Sequence, residues 1–233
     1  MSHTNEIRKI SIWIFFLPIV VINLCLFISV NYNLFENTIF VVDQMGRTSF
    51  TIPYIDGGAS ISRTARTYPA FLIFKPGMII TAFLLIKYWI ANNKLFKELN
   101  NENQKNYRFL LFGILSAVFL IAHSIFLGVS FDNDLYKLFR RFVMLGFIIF
   151  EIVAQTLLVI NMYKIKTQIA EIINKKILTL KIILVSLLII VAIVSQPVLV
   201  SSGYTHIKHA LEWNYFIAVI FFYLLTFFFW KRR

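Results

Sequence analysis

The sequence predicts an all-α membrane protein, a bundle of six transmembrane helices that forms a single domain over residues 1–233. Two observations support this prediction. Hydrophobic residues make up 59% of the chain and charged residues only 15%, whereas a soluble domain has about 45–50% apolar and about 25% charged residues. The apolar residues also fall into six stretches, each near the roughly 20 residues that a helix needs to cross a bilayer. An ordinary soluble protein and a disordered chain are therefore excluded.

Polar segments between these stretches set the predicted helix boundaries. The first stretch follows Arg8 and Lys9, but it is too long for the apolar part of a signal peptide, so we treat it as a retained helix. A single cysteine, Cys25, excludes a disulfide framework and a cysteine-based zinc module. The predicted helices cover about residues 11–30, 69–89, 109–130, 142–162, 182–200 and 213–230.

The distribution of Lys and Arg predicts the orientation of the bundle. With both termini in the cytoplasm, 15 of the 23 basic residues lie on the inner side and 8 on the outer side, as the positive-inside rule requires. The net charge of +12 then reflects topology and contact with anionic lipid head groups. We therefore expect no nucleic-acid partner.

The longest predicted loop covers residues 31–67, on the outer side. Residues 38–42 and 49–52 are rich in β-forming side chains and are separated by a Gln-Met-Gly-Arg turn. This pattern predicts a small β-hairpin at the outer end of the bundle. A loop of this length in a compact protein usually has a function.

On the inner side, residues 164–178 repeat isoleucine at helical spacing. The pattern predicts a basic amphipathic helix that lies on the anionic inner leaflet. It is equally consistent with a cytoplasmic extension of the fourth helix. The isoleucines are Ile165, Ile169, Ile172, Ile173 and Ile177, and the lysines on or near the other face are Lys164, Lys166, Lys175 and Lys176.

One carboxylate lies within a predicted membrane helix. Glu151 is mid-way along the fourth helix, and Gln155 follows one turn later on the same face. Polar groups in a membrane are costly, so they mark candidate functional sites. Glu151 is either a proton-binding or substrate-binding carboxylate or a structural residue that is hydrogen-bonded to a neighbouring helix.

Imidazole and carboxylate groups recur on the outer side of the predicted bundle. Such groups perform general acid–base chemistry, and they are also zinc ligands. We expect neither a bound metal nor a cofactor. The catalytic candidates are His123, His209 and Glu212, and His206, Asp132 and Asp134 lie on the same side.

Several arginines also lie on the outer side. Guanidinium groups bind phosphate in a bidentate manner, so Arg63, Arg66, Arg140 and Arg141 are candidates for contact with lipid head groups. Ordinary interfacial anchoring is the alternative. The chain has no P-loop, GxSxG, HExxH or dinucleotide-binding motif, which argues against nucleotide-driven transport.

Three segments in order carry a family resemblance. Residues 60–65 read Ser-Ile-Ser-Arg-Thr-Ala, with Pro69 and Phe74 following at the start of the second helix. Residues 111–117 read Leu-Phe-Gly-Ile-Leu-Ser-Ala, and residues 210–213 read Ala-Leu-Glu-Trp, with Tyr223 and Thr226-Phe227 after them. Together they resemble the Frag1/DRAM/Sfk1 family of six-helix membrane proteins. In that family Gly is usual where Ala65 stands, and a His is often found where Arg140 or Arg141 stands.

The resemblance implies a protein of the plasma membrane or of an endomembrane such as the Golgi or lysosome. Members are linked to GPI-anchor lipid remodelling, to phospholipid organisation and to control of lysosomes and autophagy. The positions carried over are Ser62, Arg63, Glu212 and Trp213, so Ser62 and Trp213 join the lipid-contacting candidates. We expect Glu212 to pair with Arg63 or another outer arginine, because an unpaired carboxylate there is costly.

Three functional hypotheses follow. In the first, the protein binds, organises or remodels a phospholipid or a GPI-anchor lipid at the outer or lumenal face. In the second, it is a non-enzymatic scaffold or regulator that acts through protein partners. In the third, it transports a small solute or protons by means of Glu151. An enzyme would require His123, His209 and Glu212 to converge on one point.

Overall fold

The computed structural model describes residues 2–35, 38–39, 51–100, 107–129, 134–201 and 203–231. Within these ranges the regular structure is helical, and no strand occurs. Six helices are long and apolar enough to cross a membrane, which confirms the predicted fold class. In chain order the helices are α1 (Ser2–Val30), α2 (Pro53–Asp56), α3 (Ile61–Arg66), α4 (Ala70–Asn100), α5 (Arg108–Phe126), α6 (Asp134–Lys164), α7 (Lys175–Val194), α8 (Gln196–Val200) and α9 (Thr205–Phe229).

Most of the long helices extend beyond the predicted apolar stretches. α1 begins at Ser2, α4 continues to Asn100, and α9 begins at Thr205. Apolar residues mark only the part of a helix that lies in hydrocarbon, while polar residues continue the same backbone hydrogen bonding outside it. The predicted fifth helix differs in another way. It is interrupted at Ser195, and Pro197 lies in the first turn of the separate helix α8, a position that proline favours.

The six long helices form a closed ring in chain order. α1 packs against α4, α4 against α5, and α5 against α6. α7 then packs against α6 and α9, and α9 returns to α1. The interior of the ring is therefore covered by protein on all sides. A polar side chain that points inward is shielded from lipid and must find its partners among the other helices.

The short helices α2 and α3 cover one end of this ring, which we call the outer end. α2 packs against α9, while α3 contacts α1, α4 and α9. Ser60 caps α3, because its hydroxyl oxygen accepts a hydrogen bond from the Arg63 N–H at 3.2 Å. The predicted β-hairpin falls largely on residues 40–50, which lie outside the described residues.

At the opposite, inner end, the predicted amphipathic helix is absent from the described chain. Residues 165–172 form successive turns, and Ile165, Ile169 and Ile173 are buried in the protein core. The Asn174 N–H donates to the Phe229 carbonyl at 2.8 Å. The prediction that the apolar face lies on the membrane is therefore wrong, because the protein itself covers these isoleucines.

The lysines of this inner segment face solvent, unlike its isoleucines. Lys164, Lys166, Lys175 and Lys176 are all exposed. Lys166 lies over the ring of Tyr163, with 3.8 Å between Nζ and the ring centroid. Contact between these lysines and anionic lipid of the inner leaflet stays a prediction.

Candidate functional site

Trp213 fixes the outer loop to helix α9. Its side chain is fully buried, and the indole Nε1–H donates to the carbonyl of Ala59 at 2.8 Å. The ring also packs edge-on against Tyr54, with 4.9 Å between the centroids. Trp213 therefore anchors the loop, and it has no exposed surface with which to contact a lipid, contrary to our expectation from the resemblance.

His209 holds the same loop one turn earlier along α9. Its Nδ1 lies 3.0 Å from the carbonyl oxygen of Gly57. A carbonyl only accepts hydrogen bonds, so the Nδ1 atom carries the proton and donates. His206, three residues before, is exposed.

Glu212 contacts the backbone of the loop rather than an arginine. Its Oε1 accepts a hydrogen bond from the Ser62 N–H at 3.4 Å, and the neighbouring Ile61 N–H interacts with the same carboxylate. Both donors belong to the first turn of α3, where backbone N–H groups have no partner within the helix. The expected ion pair with Arg63 is therefore wrong, because α3 itself supplies the donors.

His123 lies apart from these two side chains. It is half-buried on α5, and it is close enough to Arg140 of α6 for their charges to interact. The three catalytic candidates thus have separate partners. Among the described residues no group of three His, Cys, Asp or Glu side chains is arranged to hold a metal. Asp132 and the side chain of Asp134 lie outside the described residues.

Three outer arginines of α3 and α6 are linked by electrostatic interactions with Arg66, and we call Arg63, Arg66 and Arg140 the arginine cluster. Arg66 interacts electrostatically with both other members. Partial desolvation of its side chain, and then the charges of Arg140 and Arg63, lower the pKa of Arg66. The Arg140 guanidinium also lies 5.7 Å from the centroid of the Tyr136 ring.

The arginine cluster has an excess of positive charge. Within the part of the chain that the structure describes, no carboxylate lies at ion-pair distance from any of its members. Arg63 and Arg66 are exposed, and Arg140 is half-buried. Arg141 is exposed as well, but no contact joins it to the cluster, while Ser62 is half-buried beside Glu212. Like charges in one place are costly unless an anion accompanies them.

Glu151 lies in the ring interior, and its hydrogen bonds reach α5, α9 and a residue of its own helix α6. Its Oε2 accepts from the Ser116 hydroxyl of α5 at 2.5 Å. Its Oε1 accepts from the Tyr223 hydroxyl of α9 and from Nε2 of Gln155, the latter at 3.1 Å. Gln155 also donates to the Val219 carbonyl of α9 at 3.1 Å. These contacts link α6 to α5 and α9, and both a structural role and a proton-binding or substrate-binding role for Glu151 stay predictions.

A small cavity borders Glu151 and Tyr223. It has a volume of about 30 Å³ and is otherwise lined mainly by apolar side chains, among them Ile14, Leu120 and Phe147. The surface of the cavity is apolar, so it offers a water molecule few hydrogen-bond partners.

The family comparison agrees with this architecture. The family model for the Frag1/DRAM/Sfk1/Cwh43P N-terminal domain matches residues 8–230. The chain belongs to this family. The match extends from α1 to the residue after α9, so it includes all six long helices of the Frag1 fold. No curated protein and no solved structure matches the chain.

The sequence analysis did not single out Lys181, which stands just before the apolar stretch predicted for the fifth helix. Its side chain is fully buried on α7. The spacing of Lys181 from its apolar neighbours could have predicted this burial. Lys181 lies three residues after Leu178 and four before Val185, and both of these are buried. It therefore falls on the inward-facing stripe of the helix.

Proposed function

We propose that this Frag1-family protein binds the phosphate group of a membrane lipid at its outer or lumenal face. The arginine cluster carries the proposal, because it combines three guanidinium groups without a described carboxylate partner. Guanidinium is planar and presents paired N–H donors, which match two phosphate oxygens. A lipid phosphate in this position would offset part of the positive charge of the cluster.

The location of the cluster suits a lipid head group. α3 lies against the ends of α1, α4 and α9, and Arg66 is the last residue of α3. Arg140 lies in the second turn of α6, just inside the span that begins at Leu138. A residue at the start of a membrane span is expected near the boundary between hydrocarbon and head groups, where lipid phosphates lie.

The anchored loop supports binding by fixing Arg63 and Arg66 in space. Trp213 and His209 hold the chain just before α3, and Glu212 holds its first turn. A site whose side chains start from a rigid backbone loses less conformational entropy when the ligand binds. The loop contacts thus contribute to lipid affinity although none of these three side chains needs to touch the lipid.

The geometry favours binding and organisation of the lipid over its chemical remodelling. His209 and Glu212 are held by the loop backbone, and His123 lies beside Arg140. General acid–base catalysis requires both groups within hydrogen-bond reach of the reacting atoms. We therefore propose a lipid-binding role in which phospholipid or GPI-anchor lipid is held or presented at this face.

Native mass spectrometry of the purified protein tests this proposal. The protein is equilibrated with phosphatidylcholine, phosphatidylinositol and phosphate-free diacylglycerol, and retained lipids are measured. The Arg66→Gln/Arg140→Gln variant should retain phospholipids at least about 100-fold less than wild type, since two charge-assisted contacts, each worth about 1.5–3 kcal/mol, are lost. Diacylglycerol retention should not change.

Arg141→Gln is the control for each single substitution, because it removes one positive charge next to the cluster but outside it. Equal phospholipid retention by wild type and by the double variant would overturn the proposal. A loss of retention in Arg141→Gln as large as in the double variant would show a diffuse charge effect rather than a site. Solute or proton transport that fails in Glu151→Gln, with lipid retention intact in all variants, would favour the transporter hypothesis.

A further inference from the structure

Two ionisable side chains of opposite type lie in the interior of the ring. Glu151 of α6 is 1% exposed and Lys181 of α7 is 0% exposed. Neither has an oppositely charged group of the described chain at ion-pair distance. An isolated charge in a membrane bundle is costly, so such residues mark a site or compensate each other.

The Lys181 end of this interior is organised by one hydroxyl group. Thr226 Oγ1 donates its only proton to the Phe222 carbonyl at 2.9 Å. Its oxygen then has two lone pairs, which accept from Lys181 Nζ at 2.8 Å and from the Tyr88 hydroxyl at 3.2 Å. Lys181 and Tyr88 therefore share one acceptor. The Lys181 ammonium also lies over the Phe222 ring at 3.9 Å from the centroid.

The Glu151 end is reached through the neighbouring tyrosine. Tyr223 precedes Thr226 by one turn on α9, and its hydroxyl donates to Glu151. The Tyr88 and Tyr223 rings pack edge to face, with 4.9 Å between their centroids. Tyr88 also interacts electrostatically with Glu151. The space between the two ionisable groups is thus occupied by hydroxyl-bearing side chains.

We infer that Glu151 and Lys181 form one intramembrane acid–base pair that binds a single exchangeable proton. The pair has two forms, ammonium with carboxylate and amine with carboxylic acid. Conversion breaks an N–H bond at Lys181 Nζ and forms an O–H bond on the Glu151 carboxyl, so both forms have zero net charge. The interior of the bundle stays neutral in either form, which each residue alone could not achieve.

The surroundings provide no third carboxylate or cation among the described side chains. Around Glu151 the facing polar groups are Ser116 of α5, Gln155 of α6, Tyr223 of α9 and, from α4, Tyr88 and Trp89. α1 contributes apolar Ile14 and Pro18 to the adjoining cavity. Around Lys181 they are Thr226 and, through it, Tyr88.

Infrared spectroscopy of the reconstituted full-length protein tests the pairing. The carboxylic-acid C=O band of Glu151 is assigned as the band that disappears in Glu151→Gln. Lys181→Met should change the intensity or position of this band, although Lys181 makes no contact with Glu151. Thr226→Val, which is nearly isosteric, should shift it as well, because it removes the hydroxyl that Lys181 and Tyr88 share. A Glu151 band, or its absence, that is identical in wild type and in both variants would overturn the inference.

A thermal double-mutant cycle provides a second readout. Residues that are distant and share no partners lose stability additively. We expect Glu151→Gln/Lys181→Met to melt no lower than the less stable of the two single variants, because the double variant removes both charges together. Additive losses in melting temperature would contradict the pairing.

Ser29→Ala is the control for this cycle. Ser29 is a buried polar residue of α1 that bonds to the Thr64 carbonyl at 3.2 Å, away from the pair. Its loss should add to that of Lys181→Met. The test is also independent of the proposed lipid site. Arg66→Gln/Arg140→Gln should leave the Glu151 band unchanged, so failure of one proposal does not decide the other.

Discussion

The carboxylate of Glu212 accepts a hydrogen bond from the backbone N–H of Ser62, 150 residues away in the chain, with 3.4 Å between Oε1 and N. This contact joins the start of α3 to α9. It also has an electrostatic consequence, because Glu212 uses its oxygen on the backbone and does not neutralise Arg63. Among the described side chains no carboxylate pairs with the arginine cluster, which leaves its guanidinium groups available to an anionic ligand.

Substitution of Glu212 tests the contribution of this contact to stability. Glu212→Gln keeps a carbonyl oxygen that can accept from the Ser62 N–H, whereas Glu212→Leu keeps none. Loss of a hydrogen-bond partner at a buried group costs about 1–3 kcal/mol. We expect Glu212→Leu to lower the melting temperature in nanodiscs, and Glu212→Gln to lower it by less. Equal losses for both variants would contradict a role as hydrogen-bond acceptor.

Substitution of Gly57, in the outer loop, tests the close packing of α2 against α9. Gly57 has φ of 60°, and a Cβ atom built on it would lie 1.7 Å from the carbonyl oxygen of His206. Gly57→Ala must therefore move α2 away from α9, at a cost above about 1 kcal/mol. The emission of Trp213 should shift as its environment opens, and the melting temperature should fall.

Gly203→Ala is the control for this substitution. Nothing lies within 4 Å of a Cβ built at Gly203, so alanine there meets open space. Its melting temperature and tryptophan emission should equal those of wild type. If both alanine variants behaved alike, the close approach of Gly57 to His206 would be wrong.

Helix α5 approaches α4 closely at Gly113. A Cβ on this residue would lie 2.3 Å from the ring of Trp89, which is fully buried. Gly113→Ala should therefore cost about 1–3 kcal/mol through overpacking. In the Gly113→Ala/Trp89→Leu double variant the extra methyl occupies space that the indole has left. Its loss of stability should be smaller than the sum of the two single losses, and an additive result would contradict direct packing.

How much the sequence predicts depends on what constrains each feature. The bilayer demands about 20 apolar residues per span, so the six helices are evident from composition. The closed ring is different, because it depends on contacts between distant segments such as α1 and α9. The isoleucines of residues 164–178 show most clearly what residue spacing alone cannot predict. Their spacing fits burial against lipid and burial against protein equally well, and only the fold decides.

The candidate site divides in the same way. The spacing of Arg63 and Arg66 places them on one face of α3. The electrostatic interaction of Arg66 with Arg140 of α6 depends on tertiary structure, which the sequence does not reveal. The sequence indicates that Glu212 needs a hydrogen-bond or ion-pair partner. It suggests an arginine, because a backbone N–H donor is present in nearly every residue and cannot be recognised from the residue type. Trp213 was assigned to lipid contact by resemblance. The bond to Ala59 that buries it required the path of the whole outer loop.

Orientation in the membrane can be tested by labelling introduced cysteines, because the native cysteine should give little background reaction. Cys25 is the single cysteine and is fully buried, so wild type should react poorly with a membrane-impermeant maleimide. Ile55, in α2 at the outer end, is 79% exposed, and Lys176 is exposed at the inner end. Cysteine at these two positions reports on opposite sides of the ring.

In sealed microsomes the cytoplasmic face is outermost. We expect Lys176→Cys to react at once and Ile55→Cys to react only after detergent opens the vesicles, because the basic inner end belongs in the cytoplasm. The reverse labelling pattern would show that the protein has the opposite orientation in the membrane. It would place the arginine cluster at the cytoplasmic leaflet, where anionic lipids are abundant, and the lipid that the cluster binds would then have to be sought there. Labelling of both positions in sealed vesicles would show that the two ends are not separated by a membrane.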